Sequence, residues 1–117
     1  MNAVRKTILV VDDDPGVLDY ASNVLEDSGY RVLAAPDGAT ALILLRDNPQ
    51  VDLLFTDLVM PGLDGIEVAR RANRENPALK VLYTSGYAAD ALPAGRLLKK
   101  PYQPHQLAGE IAEILGK

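Results

Sequence analysis

Four apolar runs in this chain each end in side chains that can do chemistry: Asp12, Asp13 and Asp14; Asp57; Thr84 and Ser85; and Lys99 and Lys100. Carboxylates that share one site repel one another, so they stay ionised only when a cation joins them. Oxygen donors without His or Cys favour Mg²⁺ or Mn²⁺ over zinc. Together with a lysine and a hydroxyl, such a site has the parts needed for phosphoryl transfer onto an aspartate.

These side chains meet only if the apolar runs form neighbouring strands. Short apolar runs of this kind are typical of strands buried on both faces of a parallel sheet, and they occupy residues 7–11, 30–35, 51–56, 80–84 and 96–98. Helical patterns alternate with them, which predicts a doubly wound α/β fold with five parallel strands. Sites in such sheets lie outside the carboxyl ends of the strands, so the chemical residues would share one edge.

Polar and turn residues predict where the helices begin and end. The expected N-cap residues are Asp14, Asp37 and Asp64, and Gly29 is a stop signal. Pro101 and Pro104 bracket the entry to the last helix. The segment 86–95 has only a faint helical pattern, which predicts a loop with at most a short helix.

Composition narrows the class of protein. The 117 residues suit a single domain over 1–117, and 48% apolar residues suffice for an ordinary core. A formal net charge of -4 does not favour a nucleic-acid or membrane partner. The chain has no cysteine, no apolar run long enough to span a bilayer and no signal-peptide pattern, so we expect a cytoplasmic protein.

Four segments, in this order, resemble the response-regulator receiver domain of two-component signalling: ILVVDDDP (8–15), LLFTDLVMPGLDGIEVA (53–69), VLYTSGY (81–87) and LLKKPY (97–102). The resemblance extends from about Lys6 to the end of the chain. It implies a flavodoxin-like five-stranded parallel sheet with strand order 2-1-3-4-5. The wording TSGY is most similar to receivers of hybrid histidine kinases, although we expect a stand-alone receiver domain.

The resemblance also implies roles for the acidic residues. Asp57 matches the phosphoacceptor, which takes a phosphoryl group from a histidine kinase or a histidine phosphotransfer protein. Asp13 matches a direct Mg²⁺ ligand, and Asp12 matches its acidic partner. Asp57 and the backbone carbonyl of Val59 would complete the metal ligands.

Three further residues match the receiver pattern near the ends of the last two strands. Thr84 matches the hydroxyl that engages the phosphoryl group, and Lys100 matches the lysine that pairs with it. Pro101 matches the proline whose preceding peptide bond is cis in the family. The implied protein is a regulator that catalyses its own phosphorylation and dephosphorylation and then changes its surface for an unknown target protein.

Some positions depart from the family pattern. Leu97 stands where Tyr or Phe is usual, and the stretch between Thr84 and Lys100 is short, which predicts a shortened or irregular fourth helix. Val59 and Gly86, each two residues beyond a site residue, carry no side chain that would position an attacking water.

Two other functions remain open from the residues. In a haloacid-dehalogenase-type phosphatase, Asp12 would be the nucleophile and Asp14 the acid and base. A receiver-like binding module would keep the fold without being phosphorylated. Thr84 could also serve only as a β-branched strand residue, whereas Lys99 and His105 are expected at the surface.

Overall fold

The computed structural model describes residues 5–86 and 96–116. The strands are β1 (Thr7–Val11), β2 (Arg31–Ala35), β3 (Leu53–Asp57), β4 (Lys80–Ser85) and β5 (Arg96–Lys99). The helices of the described residues are α1 (Pro15–Asp27), α2 (Gly38–Asp47), α3 (Gly65–Glu75) and α4 (Pro104–Ile114). The predicted loop or shortened helix before β5 falls on residues 87–95, which lie outside the described residues.

All five strands pair in parallel, in the order β2-β1-β3-β4-β5, which confirms the predicted flavodoxin-like architecture. The strand ends differ by one or two residues from the prediction. The second run was expected from residue 30 and the third from residue 51, whereas β2 begins at Arg31 and β3 at Leu53. The last three strands each continue one residue further than predicted, to Asp57, Ser85 and Lys99.

The three aspartates expected to cap helices do so. Asp14 accepts hydrogen bonds from the backbone N–H of Gly16 at 2.9 Å, while Asp37 and Asp64 accept from residues 40 and 67. Each carboxylate satisfies an N–H group that has no partner within its own helix. Gly29, two residues after the end of α1, has a φ of 96°, a conformation that glycine adopts without steric cost.

The sheet separates two apolar cores. Side chains alternate between its faces, so Val10, Phe55, Leu82 and Leu98 pack on the side of α1 and α4. Their sequence neighbours Val11, Leu54, Tyr83 and Leu97 pack on the side of α2 and α3. Strands β1 and β3 are buried along their whole length, as expected for central strands covered on both faces.

Candidate functional site

The site residues continue one row of the core at the carboxyl ends of the strands, where Asp57 and Thr84 lie in β3 and β4 and Asp12 and Lys100 directly follow β1 and β5. Each stands two positions after a core residue on the α1 and α4 face: Asp12 after Val10, Asp57 after Phe55, Thr84 after Leu82 and Lys100 after Leu98. The strand register pairs Val10 with Phe55 and Asp57 with Thr84. The alternation of side chains in parallel strands therefore brings residues from four strands to one edge of the sheet.

Lys100 bridges two buried carboxylates. Its Nζ lies 2.9 Å from Asp12 Oδ2 and 3.1 Å from Asp57 Oδ2. Asp12 and Asp57 are only 3% and 8% exposed, so an unpaired charge at either position would be costly. Burial works against the charged ammonium, but its hydrogen bonds to both aspartates outweigh that effect and raise the pKa of Lys100.

Opposing effects act on the pKa of the Asp57 carboxyl group. Burial raises its pKa above the ordinary value, the hydrogen bond and charge of Lys100 oppose that rise, and the charge of Asp12 adds to it. The second oxygen, Oδ1, accepts a long hydrogen bond of 3.4 Å from the N–H of Val59. Asp57 therefore presents a carboxylate that is largely shielded from solvent and is held by Lys100 and the backbone of Val59.

Three carboxylates converge at this edge. One oxygen each of Asp12, Asp13 and Asp57 lie within 4.8 Å of one another, with Asp13 exposed and the other two buried. Lys100 supplies one positive charge to a group of three carboxylates, so the group retains an excess of negative charge. An all-oxygen donor set with that excess fits a hard divalent cation.

Thr84 completes the site from β4. It is only 1% exposed, and its hydroxyl has no hydrogen-bond partner among the described residues. A buried hydroxyl without a hydrogen-bond partner lowers stability. The oxygen of an anion bound at Asp57 would be an acceptor for the Thr84 hydroxyl. Its backbone carbonyl accepts from the N–H of Leu58 at 2.9 Å, which ties β4 to the loop after Asp57.

Other residues singled out in the sequence have different positions. The carboxylate of Asp14 is committed to the first turn of α1, where it accepts from the N–H groups of residues 16 and 17. Lys99 and His105 are exposed, as expected. The side chain of Val59 is 61% exposed beside Asp57, and the peptide bond between Lys100 and Pro101 is cis, as the resemblance implies.

The sequence patterns assigned no role to Tyr102. Its side chain is buried beneath the site, with its ring 5.8 Å from those of Phe55 and Tyr20. The ring contact with Phe55 is edge-on, and its hydroxyl lacks a hydrogen-bond partner within the described residues. The available signal was its place as an aromatic residue at the end of the segment LLKKPY, two residues after Lys100.

Comparison with known proteins agrees with this arrangement. Residues 8–112 match the family described as the response regulator receiver domain. The response regulator receiver protein CpdR of Brucella abortus is 38% identical over 94% of this chain and 97% of that protein. The sensor kinase CckA of the same organism is 35% identical over 95% of this chain, which corresponds to only 13% of the kinase.

A solved structure agrees at the level of the fold and the family. The CheY-like response regulator receiver domain protein of Methanospirillum hungatei superimposes with a TM-score of 0.88 at 32% identity, over 97% of this chain and 95% of that one. Together with the family match over residues 8–112, this similarity extends across the whole sheet and the acidic edge. The chain belongs to the response regulator receiver family and has the phosphoacceptor signalling function of two-component systems.

Proposed function

We propose that Asp57 is the phosphoacceptor and that Thr84 and Lys100 hold the phosphoryl group. The observation that carries the proposal is the buried lysine bridge, in which Lys100 Nζ contacts the carboxylates of both Asp12 and Asp57. Thr84 supports it, since its buried hydroxyl has no acceptor among the described residues and stands opposite Asp57 in the strand register. A cation and a hydroxyl donor are thus available where negative charge would arrive.

The metal ligands of the proposal are the carboxylates of Asp12, Asp13 and Asp57 with the carbonyl of Val59. The three carboxylate oxygens within 4.8 Å of one another support Mg²⁺, or Mn²⁺, as the ion they would hold. When bound, the ion would neutralise negative charge on the transferring group. The exposed position of Asp13 leaves a side open through which an ion and its water ligands can enter.

In the proposed reaction, a carboxylate oxygen of Asp57 attacks the phosphorus of a phosphohistidine donor. The new O–P bond forms as the P–N bond of the donor breaks, and its electron pair stays on the imidazole nitrogen. Lys100 then shares its ammonium with the phosphoryl oxygens, and Thr84 donates its hydroxyl to one of them. The signal would end by hydrolysis: water attacks the phosphorus, the O–P bond to Asp57 breaks with its electron pair on the carboxylate oxygen, and inorganic phosphate leaves with the proton of the water.

Self-catalysed phosphorylation and dephosphorylation are part of the proposal. The donor partner is a histidine kinase or a histidine phosphotransfer protein in the cytoplasm, and the receiver would pass the signal to a target protein without contacting nucleic acid or membrane. The expected output surface includes β5 and α4. Among the described residues, none of the helices combines the length and the hydrophobicity needed to cross a membrane.

Incubation with acetyl phosphate and Mg²⁺, followed by intact mass measurement, tests the phosphoacceptor. One phosphoryl group should be added to the wild type and none to Asp57→Asn. Asp14→Asn is the matched control, because Asn also caps helices well and the Asp14 carboxylate serves α1. A label that persists in Asp57→Asn but is lost in Asp12→Asn would instead support the phosphatase mechanism.

A further inference from the structure

Thr56 places a hydroxyl on a largely apolar face of the sheet. The residue is fully buried in β3 and stands in register with Val11 of β1 and Tyr83 of β4. Both of these neighbours belong to the core under α2 and α3. A valine would have the same branched shape at this position and would bring no polar atom into the core, so packing alone does not explain the hydroxyl.

The hydroxyl of Thr56 donates to the backbone carbonyl of Asp57 at 3.0 Å. Successive side chains of a strand point to opposite faces of the sheet, so Thr56 lies on the side of α2 and α3. The carboxylate of Asp57 lies on the other side, where it contacts Lys100. Thr56 therefore acts on the site from behind, through the backbone of Asp57.

The peptide group between Asp57 and Leu58 is held at both of its polar atoms. Its carbonyl accepts from the hydroxyl of Thr56, and its N–H donates to the carbonyl of Thr84 at 2.9 Å. A peptide group is planar, so two hydrogen bonds on opposite sides of it fix the orientation of the whole plane. That orientation determines the direction in which the chain leaves β3.

The next peptide group, between Leu58 and Val59, is held in the same way. Its carbonyl accepts from the N–H of Gly65 at 3.0 Å, and its N–H donates to Oδ1 of Asp57 at 3.4 Å. Two consecutive fixed planes therefore connect the Asp57 carboxylate to the carbonyl of Val59. Mg²⁺ requires ligands in near-ideal octahedral geometry, so a change in either plane would weaken its binding to these two oxygens.

We propose that Thr56 is a positioning residue for the metal site, whose hydroxyl fixes the backbone that holds the Asp57 carboxylate and the Val59 carbonyl in place. This proposal rests on the proposed function of Asp57 and Val59 as Mg²⁺ ligands. It gives the buried hydroxyl a task that a valine could not perform, and it explains why the polar atom stands directly before Asp57 in the strand.

Thr56→Val tests the proposal, since it keeps the branched side chain and removes the hydroxyl. Its Kd for Mg²⁺, measured by isothermal titration calorimetry, should rise about fivefold, which corresponds to about 1 kcal/mol. Thr56→Ser keeps the hydroxyl, and its Kd should stay within about twofold of the wild-type value. Thr7→Val is the matched control, because Thr7 is also a buried strand threonine but lies at the opposite end of β1 from the acidic site.

Equal Mg²⁺ affinity in Thr56→Val and wild type would overturn the role of the hydroxyl, even with a lower melting temperature, because a purely structural threonine would change stability alone. An equally large loss in Thr56→Ser or in Thr7→Val would also overturn it. Should Thr56→Val fail to fold, Thr56→Ala also lacks the hydroxyl and is subject to the same comparison. If the wild type neither binds Mg²⁺ nor accepts a phosphoryl group from acetyl phosphate, the proposed function fails and this proposal falls with it.

Discussion

Among the described residues, Lys100 is the one cation in hydrogen-bond contact with the buried carboxylates of Asp12 and Asp57. A buried ion pair gains little net stability, because the loss of hydration offsets the attraction, yet removal of one partner is strongly destabilising. The bridge from Lys100 to Asp12 and Asp57 is therefore expected to add little to the free energy of unfolding. Asp13 stands outside this bridge, exposed and within 4.8 Å of both other carboxylates.

Asp13→Asn should distinguish two effects of the Asp13 carboxylate on stability: its repulsion of Asp12 and Asp57 without metal, and its contribution to Mg²⁺ binding. Without metal the variant should be more stable by about 0.5 kcal/mol, because like charges at an exposed position interact weakly in a high dielectric. In the wild type each tenfold excess of Mg²⁺ over its Kd should add about 1.4 kcal/mol, or roughly 4–8 °C in melting temperature. The variant should show a smaller Mg²⁺ shift, and an unchanged shift would remove Asp13 from the ligands.

At the scale of elements, the start of α3 packs closely against the backbone that follows β3 at the acidic edge of the sheet. The N–H of Gly65 donates to the carbonyl of Leu58 at 3.0 Å, and a Cβ at Gly65 would clash with the backbone oxygen of Asp57. The first turn of α3 thus lies directly against the residue proposed to be phosphorylated. Only a residue without a side chain permits this approach.

Gly65→Ala should therefore destabilise the fold by about 1–3 kcal/mol, since either the backbone of Asp57 or the start of α3 must move. It should also slow phosphorylation by acetyl phosphate. Gly109→Ala is the control, because among the described residues no atom outside the adjacent backbone of α4 lies within 4 Å of a Cβ at that position. The control should gain roughly 0.5–1 kcal/mol from helix propensity, and urea denaturation measures both changes. Equal stability of the two variants would contradict the close approach.

The two central leucines of β5, Leu97 and Leu98, pack on opposite faces of the sheet. Leu98 belongs to the row of the core that continues into Lys100, whereas Leu97 packs on the opposite face with Tyr83 and the residues under α2 and α3. Leu97 stands where the family pattern usually has Tyr or Phe, and leucine has neither an aromatic ring that could turn inward nor a hydroxyl that could form a hydrogen bond. Its burial is therefore expected to be similar with and without a phosphoryl group, and a side chain without differential energy cannot shift the equilibrium.

Leu97→Ala should lower the free energy of unfolding by about 1–2 kcal/mol, because the side chain is only partly buried. The affinity for beryllofluoride with Mg²⁺ should change by less than about twofold, which is under 0.5 kcal/mol. Chemical denaturation and a titration with the mimic give the two values. A large loss of beryllofluoride affinity in a folded variant would show that Leu97 takes part in the response.

At the scale of the whole molecule, surface ion pairs contribute to stability in a way that depends on pH. On α3, Arg71 Nε lies 2.7 Å from Glu67 Oε2, and Arg70 Nη2 contacts the same oxygen. Hydrogen bonds from Arg70 and then Arg71 lower the pKa of Glu67 to about 2, from 4.5. A lowered acid pKa stabilises the folded state above the unfolded value, and that contribution is lost as the pH falls from 4.5 towards 2.

Glu67→Gln should accordingly lower the free energy of unfolding at pH 7, and the difference from wild type should shrink as the pH falls below 4.5. Urea denaturation at a series of pH values measures that difference. The effect should be small and should weaken in high salt, because the pair is exposed. Glu26→Gln, at an exposed position on α1, controls for the loss of one negative charge. A difference that stays constant down to pH 3 would rule out the ion pairs as its cause.

Local patterns in the sequence determined the elements and the edge at which chemistry would take place. Apolar runs such as ILVV predicted buried parallel strands, and Asp14, Asp37 and Asp64 predicted helix starts that the structure confirms. These signals act over one turn or a few residues, so they can be recognised without knowledge of distant contacts. The rule that sites form at the carboxyl ends of parallel strands then placed Asp12, Asp57 and Lys100 together.

Only the tertiary structure decided how those residues share their charges. Lys100 contacts Asp12 across 88 positions of the chain, and packing rather than sequence distance sets that contact. Three adjacent aspartates have three different states, since Asp12 is buried against Lys100, Asp13 is exposed and Asp14 caps α1. The side chain of Tyr102 is likewise buried by residues from distant elements, because its ring packs against Tyr20 of α1 and Phe55 of β3. Burial and pairing depend on neighbours from distant elements, and no local pattern encodes which neighbours those are.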